Sequence, residues 1–83
     1  MTPYAHKLLI RAEGIWHNLG LALAGKDFSE HDGATSIVLT FNSITPTQAE
    51  LLVSQMGVAF RRARIHWKEC DGSISVCVEI PPT

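Results

Sequence analysis

The sequence predicts an α+β domain: a two-layer α-β-α-β-β sandwich with two helices on one face of a three-stranded, mostly antiparallel sheet and the other sheet face open. Three observations carry this reading. Apolar residues recur at helical spacing in two stretches, Leu8 to Leu23 and Ala49 to Ala63. The segment TSIVLTF (35–41) and the two segments flanking Asp71-Gly72 alternate as half-buried strands do. Asp71-Gly72 itself is the kind of residue pair that accepts positive φ at both centres of a two-residue hairpin turn.

The first helix is expected to begin at Thr2 as N-cap with Pro3 at the first helical position. Leu8, Ala12, Ile15, Trp16, Leu19, Ala22 and Leu23 form its apolar stripe, and Gly25 closes it. Gly14 and Gly20 fall inside this span, each costing up to ~1 kcal/mol relative to alanine, so they mark either close packing or a weaker helix. Residues 25–34, GKDFSEHDGA, read as a polar loop. The strand over 35–41 then places Ile37, Leu39 and Phe41 on one face. Thr45, Pro46 and Gln48 spell a capping box, and Ala49, Leu52, Val53, Met56, Ala59, Phe60 and Ala63 supply the stripe of a second helix. Arg61 and Arg62 are expected in its last turn, where each positive charge gains ~0.3–1 kcal/mol from the helix dipole.

Taking Asp71-Gly72 as the turn fixes the final register, with Cys70 opposite Ser73, Trp67 opposite Val76, His66 opposite Cys77 and Arg64 opposite Glu79. The faces then sort by chemistry. Ile65, Trp67, Ile74, Val76, Val78 and Ile80 lie together, with Arg64, His66, Lys68, Ser75, Cys77 and Glu79 on the other side. Pro81 and Pro82 end the last strand, whose aliphatic content argues for a central place, giving the order first strand, third strand, second strand. No repeat, low-complexity tract or linker is expected, and residues 1–83 are read as one domain.

Composition narrows the function. At 46% hydrophobic and 18% charged the chain is globular, and a net charge of −1 gives it no long-range attraction for phosphate polymers. Two cysteines are too few for a disulfide scaffold, and Arg11 and Glu13 interrupt any export pattern, so a reducing, cytoplasmic setting is expected. The longest apolar run, Leu19 to Ala24, falls far short of the ~20 residues of a membrane span.

Four of the basic residues crowd into RRARIHWKEC (61–70) around a tryptophan. A single-strand-binding sheet would stack bases on aromatics among its basic residues, but here Trp67 shares the core parity while Arg64, His66 and Lys68 face outward. The open face so predicted is mildly basic and hydrogen-bonding, with Ser36, Val38 and Thr40 beside Arg64, His66, Lys68, Ser75 and Cys77. Asp27, Glu30, His31 and Asp32 read as an exposed acidic loop and a second contact patch. Asp32-Gly33 resembles the middle of a calcium loop, but Phe28 and Leu39 would occupy its first and last ligand positions, which excludes the ion.

His66 beside Cys77 has the pairing of a thiol and its base, yet no oxyanion motif or glycine-rich pocket loop accompanies it. Cys70 and Cys77 lie roughly 13 Å apart along the strands, too far for a disulfide or shared metal. His6, Glu13 and His17 share one flank of the first helix and read as solvated side chains rather than metal ligands. The sequence therefore predicts a protein without enzymatic activity, cofactor or metal. It is read as a small protein-binding module, an inhibitor, adaptor or regulator of a larger protein complex. Arg61, Arg62, Arg64, His66, Lys68, Asp27, Glu30 and Asp32 are its contact residues. Size and lack of catalytic motif are shared with inhibitors that mobile elements direct at host defence complexes, an analogy that no residue carries. The alternative is a nucleic-acid-binding regulator using residues 61–68, and the exposed sheet is also compatible with a homodimer.

Overall fold

The computed structural model describes residues 3–82, so the expected cap at Thr2 lies outside the described residues. The elements follow the order α1 (Pro3–Asn18), β1 (Leu23–His31), β2 (Ala34–Asn42), α2 (Pro46–Ala59), β3 (Arg64–Cys70) and β4 (Ser73–Ile80). Both helices contribute their apolar stripes to one face of a fully antiparallel sheet of order β1-β2-β4-β3. The α+β class is as expected, but the three-stranded sheet and its strand order are not: the sheet has four strands, and the additional one occupies the span read as helix end and polar loop.

Two local features produce that difference. The first is the end of α1. The Leu21 amide donates to the Trp16 carbonyl (2.9 Å) and the Gly20 amide to that of His17 (3.0 Å), while Gly20 adopts φ +74°. This is a Schellman closure, in which glycine takes the left-handed position and the residue after it packs back on the helix. Leu21 and Trp16 are accordingly both buried. Gly20, not Gly25, ends the helix, and the apolar residues beyond it belong to the loop and to β1.

The second is the turn at Asp32-Gly33, with φ of 52° and 82°, which matches Asp71-Gly72 at 48° and 80°. Both are two-residue turns with positive φ at each centre, the geometry that suits the twist of paired strands. The segment 25–34 is therefore most of a hairpin arm and its turn, not a loop. A β-carbon at Gly33 would lie 3.2 Å from that of Pro82, so the turn also packs against the end of the chain.

In the second half of the chain the expectations hold closely. The Thr45 hydroxyl accepts from the Gln48 amide and the Gln48 side chain accepts from the Thr45 amide, completing the capping box. The β3–β4 register runs from Arg64 opposite Glu79 to Cys70 opposite Ser73, as expected pair for pair. One correction applies: α2 ends at Ala59 with Phe60 as its cap, so Arg61 and Arg62 lie in the following turn, not the last helical turn. The core joins Ile37, Leu39 and Phe41 of β2 to Val76, Val78 and Ile80 of β4 beneath both helices, with Trp16 meeting Phe41 edge-on at 5.7 Å between ring centroids.

The element order is α-β-β twice, and the repetition extends to side chains, correcting the expectation of no repeat. Ala5, Leu8, Ala12 and Trp16 of the first helix have the spacing of Ala49, Leu52, Met56 and Phe60, and all eight are buried. Phe28 faces Ile37 in one hairpin as Trp67 faces Val76 in the other. Beyond this pattern the two halves share little sequence, so the repeat is not visible as residue identity.

Candidate partner-binding surface

Strand register assigns every residue of the uncovered sheet face. Paired residues in an antiparallel ladder share a face, so three cross-sheet rows follow. Arg64, Glu79, Ser36 and Ser29 form one; His66, Cys77, Val38 and Asp27 the next; Lys68, Ser75, Thr40 and Gly25 the third. Beyond them Ser73 donates to Asn42 through their side chains at 2.8 Å. The two central strands offer a half-buried floor of small side chains, namely Ser36, Val38, Thr40, Ser75 and Cys77. Long side chains stand along the β3 border, where Arg64, His66 and Lys68 are exposed.

The contact residues expected from sequence separate into several places. Arg64, His66 and Lys68 share the open face, as expected. Arg62 does not join them: its guanidinium lies over the Tyr4 ring, 5.4 Å from the centroid, on the helix side of the sheet. Arg62 and Arg64 nevertheless line one cleft of about 300 Å³ at the sheet end, together with Glu79, Ile80, Pro81 and Pro82. Arg61 is exposed in the turn beside them.

The acidic patch is divided by strand alternation. Asp27 faces the open side opposite Val38, Glu30 faces the helix side opposite Thr35, and Asp32 sits in the turn with its carboxylate 3.2 Å from His31 Nε2. That turn and Arg64 occupy the same end of the sheet, because β1 ends, β2 begins, β4 ends and β3 begins there.

The candidates for chemistry remain simple. His66 and Cys77 are cross-strand neighbours on the open face, with His66 exposed and Cys77 half-buried. Their row continues into Val38, which offers no polar group to orient the imidazole. Both cysteines are free thiols, and Cys70 lies 3.9 Å from a carboxylate oxygen of Asp71. Glu13 and His17 are 3.7 Å apart on the surface of α1, and among the described residues no group of three or more His, Cys, Asp or Glu is placed to hold a metal. Among the described residues no helix is long and apolar enough to cross a membrane.

One surface escapes the sequence reading. Between α1 and β1 lies a cleft of about 280 Å³ lined by His6, Leu9, Ile10, Glu13, Trp16, Leu23, Lys26 and Phe28. Ile10 (61% exposed) and Phe28 (42%) are two of the large apolar side chains left open to solvent. Lys26 Nζ stands 5.9 Å from the centroid of the Phe28 ring. The signal that could have revealed it was the second Asp-Gly pair, which makes Phe28 a strand residue on the helix side.

No protein-family model matches the chain, and no curated protein matches it in sequence.

Proposed function

We propose that this protein is a non-enzymatic binding module that docks on a larger protein through the open face of its sheet, acting as an inhibitor, adaptor or regulator of that partner. The observation that carries the reading is the form of this face: a broad floor of small side chains bordered on one side by Arg64, His66 and Lys68. Small side chains lose little conformational freedom when covered, and a charged border sets orientation and speeds encounter. Arg61 and Arg62 extend the positive charge around the sheet end. Asp27 closes the opposite border, where a basic group of the partner would meet it.

Mixed charge favours a protein over a phosphate polymer. Glu79 lies opposite Arg64, and Asp27 ends the row that begins at His66, so the face has no unbroken positive track. Trp67, the aromatic within the basic run, is opposite core residue Val76 and so faces away from any strand laid on the open side.

The test is capture of a stoichiometric protein by the tagged chain from nuclease-treated bacterial lysate, with R64E and K68E in parallel. The reading expects both variants to lose the partner while their unfolding free energies stay within ~0.5 kcal/mol of wild type, as for exposed positions. Undiminished capture by both would remove the face from the account. Material that disappears on nuclease treatment would support the nucleic-acid-binding alternative at residues 61–68, whose affinity for duplex should fall with salt at a log-log slope of about −3 to −4.

A further inference from the structure

Helix α1 turns different residues to its two neighbours. His6, Ile10 and Glu13 line the cleft against β1, whereas Tyr4, Lys7, Leu8 and Arg11 line a second cleft, of about 170 Å³, against Ala59 and Phe60 at the end of α2. Leu8 and Phe60 are buried core residues, so this cleft opens over the core at the seam between the helices, with Lys7 and Arg11 exposed.

Three cations meet there. Lys7 and Arg11 stand one helical turn apart on the same face, a like-charged spacing that weakens a helix slightly. The Arg11 guanidinium lies 5.7 Å from the centroid of the Phe60 ring, and that of Arg62 lies 5.4 Å from the centroid of Tyr4. A ring attracts the charge of a guanidinium but supplies no acceptor for its fork of N–H donors. Those donors are unused: among the described residues Lys7, Arg11 and Arg62 make no hydrogen bond or ion pair.

No acidic side chain lines this cleft. The one carboxylate of α1, Glu13, lies on the other flank and pairs with His17, and the one carboxylate of α2, Glu50, accepts from Trp67. Glu79 shares the sheet-end cleft with Arg62 but stands opposite Arg64 on the open face. The carboxyl end of α2 adds only about half a negative charge, which leaves the three cations largely uncompensated.

We infer that this seam binds a phosphate dianion, free or as the monoester of an organic group, held by the guanidiniums of Arg11 and Arg62 and the ammonium of Lys7. A carboxylate has two oxygens, which one guanidinium fork satisfies, whereas a phosphate monoester has three free oxygens and suits two forks and an ammonium. The cleft is smaller than the ~300–1,000 Å³ of sites that enclose a whole organic ligand, and so fits one charged group. Because it lies in the helical layer, this site is tested separately from docking through the open face.

Amide NMR of isotope-labelled protein at constant ionic strength and a pH of about 8, where the phosphate is a dianion, provides the test. Sodium phosphate, phenyl phosphate, acetate and a single-stranded oligonucleotide are titrated into wild type, R11Q, R62Q, K7Q and the control K26Q, with circular dichroism confirming each fold. The expected result is saturable shifts at Lys7, Arg11, Phe60 and Arg62 with both phosphates, at midpoints of about 10 mM or below, and none with acetate. R11Q and R62Q should each weaken binding at least about fivefold and K7Q about threefold, while K26Q, which removes the same charge elsewhere, changes it less than about twofold. Tighter binding of phenyl phosphate assigns the site to an organic ester, and tighter binding of phosphate assigns it to the free ion. Shifts that never saturate, an equal response to acetate, or R11Q and R62Q that bind as well as K26Q would overturn the inference. An oligonucleotide bound more tightly than either phosphate would also overturn it, by assigning the seam to phosphodiesters.

Discussion

The two outer strands occupy equivalent places in the two α-β-β halves, yet one is finished and the other is not. On β3, Trp67 packs against the core and its indole Nε1 donates to Glu50 of α2 at 3.0 Å, closing the space between strand and helix. On β1, Phe28 takes the equivalent place, but α1 offers no such partner, and the space remains an open cleft. The loops before the two outer strands are equal in length, 19–22 and 60–63, but only the first is closed by a glycine at positive φ. The same scaffold thus carries one edge closed on the helix side and one where an apolar cleft stays open on that side. The comparison teaches that a candidate interface can be located by asking where one half of a repeat omits a contact that the other makes.

Substitutions at equivalent positions would expose this difference. The largest effect is expected at Trp67→Ala, which removes a half-buried ring and a hydrogen bond and should cost about 2–4 kcal/mol in urea unfolding. Phe28→Ala should cost less than about 1 kcal/mol, because Phe28 is 42% exposed and lines an open cleft. Equal losses would mean that the two edges are equally packed. Next comes Gly20→Ala, expected to cost about 1–2 kcal/mol by forcing a β-carbon into the left-handed closure of α1. Glu50→Ala should cost about 0.5–1.5 kcal/mol and leave Trp67 fluorescence shifted toward the red as its indole loses the carboxylate. The smallest effect runs the other way. A β-carbon at Gly14 or Gly57 meets nothing within 4 Å, so alanine at either should raise stability by about 0.5–1 kcal/mol.

Gly14 and Gly20 answer one question the sequence raised. Gly14 is a weak point in α1 and not a site of close packing, whereas Gly20 is neither: it is where the helix stops. The apolar residues Leu19, Ala22 and Leu23 happen to continue the helical period past the stop, so periodicity alone carries the helix too far.

The β3–β4 hairpin was legible because both of its faces are chemically sorted, and a one-residue slip would put Ile74, Val76 and Val78 in water. The β1–β2 hairpin has the same Asp-Gly turn but only one sorted arm. Along β1 the helix-side positions include Lys26 and Glu30, which are exposed and so experience no pressure to be apolar. With a single aromatic, Phe28, to mark its parity, GKDFSEHDGA reads as a loop. The open face was recoverable as far as its β2, β3 and β4 residues, because their register follows from the sorted hairpin. Its β1 border, with Asp27 and Ser29, became visible only with the fourth strand. Arg62 could not be assigned in advance, since its contact with Tyr4 depends on how α1 lies against the end of α2.

Amide hydrogen exchange, followed by residue in dilute protein, tests the asymmetry of the two edges most directly. In dilute protein the β2-bonded amides of Asp27, Ser29 and His31 should open at lower free energy than the β4-bonded amides of His66, Lys68 and Cys70, because β1 is less firmly held. Equal protection of both edges, or firmer protection on β1 than on β3, would contradict the account.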